Sequence, residues 1–558
     1  MNSRLRIGLL LDSYFLPAWA FTAIEQILRS SYAELALVVL NHSRPKRWAP
    51  LRVFWQACNH WLYHIFNSVD EKLFLRGPIA AAQVDSSETF SSIPVFEVEP
   101  IDERGEQHFS ALDVEQLKSY QLDILVKMGF GNLRGDISFA ASCGIWTYRW
   151  GDPRKIKDGL TSFWEVVRSW PETGAAFLQL GAAAEHDKVL FESWFFTYPY
   201  SPARSKNYVL WAASSFLPRQ VERLFNLGGE KFLQALAKKP AVETPKSQKT
   251  NGIPSNLMVM WIVLKLAARN LLEVSRRSFY REQWELLFHL KHDNESNTST
   301  FKRISPPKDR FWADPHVIYK RPNYFIFVEE YLYQIKRGHI SVIEMDQKGN
   351  YKLPIPILQN SCHLSFPFVF NWMGHYYMIP ESSDKRTIDL YECTEFPNQW
   401  QFRITLMQDL KAVDTTLFYT QRKWWLFTAI SENKAAAPQV ELFLFYSDEL
   451  FTDQWRAHPM NPIVSDVKRA RAAGRLFMKD GKLFRPSQDC SKMYGYGFDL
   501  NEIVVLSETD YCERTMTSVR PDRGKRIIAT HTYTNQGNLT VIDALTRRFK
   551  WVKKNDPT

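Results

Sequence analysis

Residues 311–330 read FWADPHVIYKRPNYFIFVEE, and this stretch decides the fold of the C-terminal half. His316–Tyr319 and Tyr324–Val328 are rich in β-branched and aromatic residues. The Lys-Arg-Pro-Asn between them is turn chemistry, so the stretch is predicted to be a β-hairpin. Asp314, followed by Pro315, stands just before the first strand. In a β-propeller the innermost strand of each blade starts near the axis, so a residue placed there can point into the central funnel. Alone, an Asp-Pro pair reads as a turn with a capping carboxylate. The chain that follows favours the funnel.

From this hairpin onward a pattern recurs about every 50 residues. Its starts are WADPHVIY at 312, LSFPFVF at 364, AVDTTLFY at 412, RAAGRLFM at 471 and IIATHTYT at 527. Alternating strands such as HYYMIPE, KWWLFTAI, KLFRPSQD and NLTVIDAL follow them. Five starts predict five blades. The last unit is short, so a strand from before residue 311 is expected to close the ring.

A chain of 558 residues with 45% hydrophobic content fits two large domains. The formal net charge of +10 is spread along the chain. It suits acidic surfaces, phosphates or nucleotide-sugars and gives no footprint for nucleic acid. The six cysteines show no CxxC and no metal-type pairing with histidine, so reduced thiols of a cytoplasmic protein and no metal site are expected. MNSRLRIGLLLDSY at the start reads as a strand rather than a signal peptide. Residues 256–279 carry the apolar run LMVMWIVL with basic residues after it. This reads either as a helix packed between domains or as an amphipathic helix giving peripheral contact with the inner membrane surface.

The N-terminal half opens as βαβ: the apolar run at 5–11, a helix from Ala18 to Ser30, and a second apolar run at 35–40. That order predicts a parallel sheet whose ligand crevice lies at the carboxyl ends of its strands. The glycines of GFGNLRGD lack dinucleotide-binding spacing. LDILVKMGFG, the glycine-led strand CGIWTYRW, GLTSFWEV and TGAAFLQL then follow in order. Through them this half resembles a formyltransferase domain of the methionyl-tRNA formyltransferase type. The resemblance implies an Asn and a His two residues apart on the glycine-led strand and an Asp after the TG strand. Here Thr147 falls in the Asn slot, Arg149 in the His slot and Glu185 near the Asp slot. Arginine cannot serve as a general base at neutral pH, so formyl transfer is expected to be lost. No cofactor is expected, and formyl-tetrahydrofolate only if this domain is active. The polar, proline-bearing stretch 238–254 reads as a linker. The domains are therefore expected at 1–240 and 281–558, with a linker and helix over 241–280.

The second half, about residues 280–550, resembles the five-bladed propeller of family-43 glycoside hydrolases. More closely it resembles the propeller at the N-terminus of plant glucosamine inositolphosphorylceramide transferases. The matching motifs are FWADP, FPFVF with YYMIPES, VDTTLF with WWLFTA, RAAGR with LFRPSQDCSKMYG, and HTY with LTVIDA. The hydrolase resemblance implies Asp314 as general base and Asp414 as the carboxylate that tunes the acid. The acid itself should stand at the start of blade four, where 469–474 reads RARAAG with no carboxylate. Glu381 of the PES motif is the remaining carboxylate able to reach the funnel. Arg471, Arg485, Gln488 and Asp489 are expected to line it for substrate, since arginine grips phosphate or carboxylate bidentately. His531 reads as a core residue. The functional expectation is a carbohydrate-active protein of surface polysaccharide or glycolipid biosynthesis. Its propeller would recognise, and transfer, a glycosyl group from a sugar, nucleotide-sugar or glycolipid head group. The rival expectations are an N-formyltransferase acting on an amino-sugar nucleotide and a non-enzymatic glycan-binding scaffold.

Overall fold

The computed structural model describes residues 3–43, 50–103, 105–152, 160–239, 252–291, 301–432, 437–522, 524 and 526–550, with 50–58 by backbone alone. The chain divides into two compact units, Met1–Asn270 and Leu271–Thr558. The body of the expected linker, 240–251, lies outside the described residues.

The first unit is built on a seven-stranded sheet. Its spatial order is Lys188–Phe196, Glu172–Leu180, Ile145–Trp150, Ile124–Lys127, Leu5–Leu11, Ala33–Asn41 and Val95–Val98. The five strands from Ile145–Trp150 to Val95–Val98 run parallel. Glu172–Leu180 pairs antiparallel with both of its neighbours, so the sheet is mixed rather than the parallel one expected. The short connection 181–187 makes a hairpin of the last pair, and a hairpin forces antiparallel pairing. Eight helices are described: α1 (Ala18–Leu28), α2 (Pro50–Phe74), α3 (Ala111–Ser119), α4 (Phe163–Arg168), α5 (Pro202–Ala213), α6 (Phe216–Leu227), α7 (Gly229–Ala237) and α8 (Asn256–Phe279). Leu10, Leu37, Val39 and Leu125 of the sheet are fully buried in one core cluster with Val114 and Leu117 of α3. Gly129 of the GFG motif lies where a Cβ would stand 2.3 Å from the Asp12 backbone nitrogen. The Asp12 carboxylate accepts the Phe130 N–H at 2.8 Å. That glycine therefore serves a close backbone approach, not a phosphate.

The second unit is a five-bladed β-propeller. Blade one is the sheet of Arg310–Lys320, Asn323–Leu332, Arg337–Met345 and Ile355–Leu358. Blade two runs from Ser365 to Gln408, blade three from Lys411 to Ser465, and blade four from Phe477 to Val519. In blade five, Tyr280–Leu290 pairs antiparallel with Leu539–Phe549 over its whole length, Tyr280 against Phe549 and Leu290 against Leu539. The ring is thus closed by a strand that precedes blade one in sequence, which leaves no open edge at the seam. Between blades the packing is apolar: Val317, Ile326 and Val328 of blade one bury against Leu286, Leu539 and Val541 of blade five.

Blade four departs from the expected pattern. RAAGR forms no regular strand; Ala472 makes one isolated bridge to Ser487. Gly474 has φ +142, and a Cβ there would lie 2.1 Å from the Tyr533 carbonyl oxygen. The chain passes too close to blade five for a side chain. Gly474→Ala is accordingly expected to cost about 2–4 kcal/mol, from backbone strain and the forced separation of two blades. Urea denaturation measures this, and a loss under about 1 kcal/mol would mean that the seam is soft.

Candidate functional site

The first strands of blades one, two and three share one irregularity. The ladder skips two residues between Ala313 and His316, between Ser365 and Phe368, and between Val413 and Thr416. The first residue skipped is left-handed each time: Asp314 (φ 52), Phe366 (φ 38) and Asp414 (φ 51). Such a conformation costs a non-glycine residue about 1 kcal/mol or more, and a bulge re-aims the side chain. In blades one and three the re-aimed side chain is a carboxylate. The second strands contribute next to it. Glu329 lies opposite Ala313 and Glu381 opposite Ser365, so the two glutamates hold one equivalent position in adjacent blades.

Around this point all five blades contribute. Arg471 donates to Asp414 through Nε, and through Nη2 to Asp414 Oδ1 at 3.1 Å and Glu381 Oε2 at 3.3 Å. Gln488 Nε2 donates to Asp414 Oδ2 at 2.9 Å and to the Ala472 carbonyl at 2.7 Å. The Asp314 carboxylate accepts from Thr532 Oγ1 at 3.0 Å and from the Phe366 N–H at 3.3 Å. His531 lies between two acids, with Nε2 3.2 Å from Asp314 Oδ1 and Nδ1 2.7 Å from Asp543 Oδ2. Asp543 Oδ1 also accepts the backbone N–H groups of His531 and Thr532, at 2.8 and 3.0 Å. Trp284 covers the imidazole, ring centroids 4.2 Å apart. Tyr494 lies over the Arg471 guanidinium at 4.9 Å and is 44% exposed, so the funnel reaches solvent at that ring.

Asp314, Glu329, Glu381, Asp414 and Asp543 around one guanidinium and one imidazole cannot all be charged in a buried site. Burial pushes the Asp314 carboxyl up to about 6, with the His531 charge pulling it back and Asp414 adding to the rise. Burial, reinforced by the Asp414 charge, raises Glu381 well above the carboxylate range. Glu329 rises likewise, first through burial and then through the charges of Asp314, Glu381 and Asp414. Burial opposes a charge on His531, but Asp543 and Asp314 outweigh it and raise its pKa. Burial thus favours the protonated form of Glu381 and Glu329, while Asp314, at about 6, is largely ionised at neutral pH.

Asp314, Glu381, Asp414, Arg471 and Gln488 thus stand in one network. Arg485 and Asp489 do not join it. Arg485 is bound by Glu513 through two bonds of 2.8 and 2.7 Å and donates to the Arg469 carbonyl. Asp489 pairs with Arg520 at 3.0 Å. In KLFRPSQD residues 485 and 489 share one face of the strand and 488 the other, so the three could not all face one funnel. Sequence reading took His531 for a core residue and missed Glu329, Asp543 and Tyr494. It also missed Arg475, which donates to the Val369 carbonyl and to Gln536 and touches His316, tying blades one, two and five together.

In the first unit, Thr147 is buried with Oγ1 donating to the Lys127 carbonyl at 3.3 Å. Arg149 stands opposite Ala176 and Thr147 opposite Leu178, whereas Glu185 is exposed in the 3-10 helix Ala184–His186, beyond the end of the strand Glu172–Leu180. No hydrogen bond or ion pair joins these three among the described residues. The buried carboxylate nearby is Asp187, held by both terminal nitrogens of Arg134 at 2.7 and 3.2 Å and by the Gly181 N–H. Among the described residues the group whose spacing could hold a metal ion is Asp314, His531 and Asp543, with ligand atoms within 4.8 Å of one another.

The family described as the N-terminal region of glucosamine inositolphosphorylceramide transferase 1 matches residues 298–537. The chain is 34% identical over 206 residues to glucosamine inositolphosphorylceramide transferase 1 of Oryza sativa subsp. japonica, covering 36% of this chain and 27% of that protein. It is 32% identical over the same length to the protein of that name from Arabidopsis thaliana, again covering 36% and 27%. The match therefore spans little more than a quarter of these relatives. Among solved structures, a thermostable family-43 glycoside hydrolase is similar at 12% identity and TM-score 0.28, covering 38% of this chain and 76% of that one. Glycinamide ribonucleotide transformylase 1 from Symbiobacterium toebii is similar at 12% identity and TM-score 0.26, covering 40% and 88%. At such scores neither likeness bears on function.

Proposed function

We propose that the propeller funnel is the active site of a glycosyl transfer, with Asp314 as base and Glu381 as acid. The observation that carries this reading is geometric: buried carboxyls from adjacent blades converge on one guanidinium, with Glu381 Oε2 and Asp414 Oδ1 3.3 and 3.1 Å from Arg471 Nη2. Burial raises both Asp314 and Glu381, and acid and base roles follow from such environments. Asp314, above its pKa of about 6 at neutral pH, takes the proton of the attacking hydroxyl as the new bond to the anomeric carbon forms. Glu381 gives its proton to the leaving oxygen as the old bond breaks. Arg471 and Asp414 fix Glu381, and the open face of Tyr494 gives a sugar ring a stacking surface. The names of the relatives support transfer to a hydroxyl rather than to water, with a glycolipid head group as acceptor. On the same reading the first unit is formyltransferase-like and a binding module, because Arg149 cannot act as a base and Glu185 lies apart from it.

A thermal-shift screen of the full chain tests this. A nucleotide-sugar at about 100 times its Kd is expected to add about 2.7 kcal/mol, a rise of several degrees in Tm, and formyl-tetrahydrofolate none. Glu381→Gln is expected to keep the sugar response and to lower turnover at least about 100-fold. Sugars that leave Tm unchanged, or Glu381→Gln turning over at the wild-type rate, would defeat the reading.

A further inference from the structure

In the first unit, the edge strand Lys188–Phe196 and helices α6 and α7 enclose a cavity whose wall includes Leu190, Gln220, Arg223, Phe232, Leu236 and Lys239. The space is about 220 Å³ counted with its open mouth, and its closed part has room for about one water-sized atom. Gln220 and Arg223 stand one turn apart on α6 and so share one side of it. Gln220 is only 5% exposed, and its Oε1 has no hydrogen-bond partner. Buried polar atoms are nearly always bonded, so this one calls for a reason. Lys239 follows the end of α7. Its Nζ donates to the Val189 and Leu190 carbonyls at 3.1 and 3.0 Å, which leaves the third N–H of the ammonium to spare.

The charges at this cavity are of one sign. Burial lowers the Lys239 pKa and the Arg223 charge lowers it further, against a pull from Glu192. Burial likewise lowers Arg223, and no carboxylate among the described residues opposes it. Lys188 adds a third positive charge, with Nζ donating to the Lys239 carbonyl at 2.9 Å. The acids of the same elements do not enter. Glu192 is exposed on the strand, Glu222 acts on Tyr32, and Glu230 accepts from Gln234 at 3.2 Å. Like charges drawn together and partly stripped of water are costly unless an opposite charge joins them.

We propose that this cavity binds one chloride ion, held by the Arg223 guanidinium, the spare N–H of Lys239 and the side-chain amide of Gln220. Size selects the anion: a halide is little larger than a water molecule, whereas an oxyanion needs room for several atoms. The amide serves in its turned orientation. A half-turn exchanges its oxygen and nitrogen, so that Nε2 donates to the ion and the buried oxygen no longer lacks a donor. Leu190, Phe232 and Leu236 keep water from the rest of the ion, and in such surroundings each charged contact is stronger. The site lies wholly in the first unit and does not depend on the chemistry assigned to the funnel.

Thermal unfolding of the full chain at fixed ionic strength tests it, with sodium chloride exchanged stepwise for sodium gluconate, whose anion is too large for the cavity. Wild-type Tm is expected to rise by about 2 °C or more between about 1 and about 100 mM chloride. Arg223→Gln should give a flat response, and the difference between the two curves removes any general effect of the salt. Gln220→Glu places a fixed negative charge in the cavity. It should also be flat, and in gluconate more stable than wild type. If neither variant folds, a crystal of the wild-type chain grown in bromide keeps the test open, with an anomalous peak expected in contact with the Arg223 guanidinium. Bromide there without a chloride response in solution would be an adventitious ion only. That result, a wild type indifferent to chloride, variants that respond as the wild type does, or phosphate stabilising through Arg223 as much as chloride would each overturn the proposal.

Discussion

Arg471→Met is expected to destabilise the propeller by about 3–5 kcal/mol at about pH 7.5, the usual cost of leaving buried charge without its partner. Arg471 bonds to both Asp414 and Glu381. Without it, Asp414 retains the Gln488 amide at 2.9 Å, which cannot neutralise a carboxylate. The Arg471 charge holds the Glu381 carboxyl down against burial and the Asp414 charge, so removing it raises that carboxyl further in the folded variant. A carboxyl raised on folding makes the native state bind more protons than the unfolded chain, and stability then falls as pH rises toward the folded pKa. The deficit against wild type should accordingly be smaller at about pH 5 than at about pH 7.5, which urea denaturation at the two values measures. Adding Asp414→Asn should recover part of the loss. A deficit below about 1 kcal/mol, or one that grows toward low pH, would mean that Arg471 is not the compensating cation.

Adjacent glutamates in the opening stretch show how much of the site the sequence could carry. In VEE, Glu329 and Glu330 point to opposite sides of one strand. Glu330 accepts from Arg310, Trp312, His339 and Ser341. Against its burial, the bonds from His339, Arg310, Ser341 and Trp312 hold it down to about 2, so it is a fastener between strands. Glu329 faces the acid cluster. Counting along the blade repeat would have found it, because it occupies in blade one the position Glu381 occupies in blade two. The blade starts, with Asp314, Asp414 and Arg471 in them, were legible because they recur, and the closing strand because the last unit is too short to complete a blade. His531 was not. Its partners Asp314 and Asp543 come from the first strand of the ring and its last, and only closure of the ring brings them together. Arg485 and Asp489 were misplaced by reading proximity in sequence as a shared face. The βαβ opening of the first unit was legible too. The antiparallel edge was not, since it follows from connection geometry rather than from hydrophobic pattern.

Asp314→Asn is expected to lower turnover by about 100- to 10,000-fold while leaving the fold intact. Asparagine suits the left-handed backbone at this position, and its carbonyl can still accept from Thr532 or Phe366. What it cannot do is take a proton or hold the charge that faces His531. The stability consequence has a definite sign. In the wild type the folded pKa of Asp314 is about 6 against 3.8 for the free group. The folded state therefore binds the extra proton between about pH 4 and 6, and stability falls as pH rises through that window. The full effect is on the order of 3 kcal/mol, because each tenfold change in proton affinity is worth about 1.4 kcal/mol. His531, also raised, adds stability that is likewise lost as pH rises through its folded pKa. The Asn variant lacks the first of these slopes. Its stability should depend less on pH between about 4 and 6, and at about pH 7.5 it should match or exceed the wild type, less the lost attraction to His531. A purely structural Asp314 predicts the reverse pair of results: lost stability at neutral pH, with ligand affinity and turnover unchanged in the protein that remains folded. Denaturation curves from about pH 4 to 8 together with turnover on a nucleotide-sugar decide between them. A variant that is both less stable at neutral pH and fully active would remove Asp314 from the chemistry.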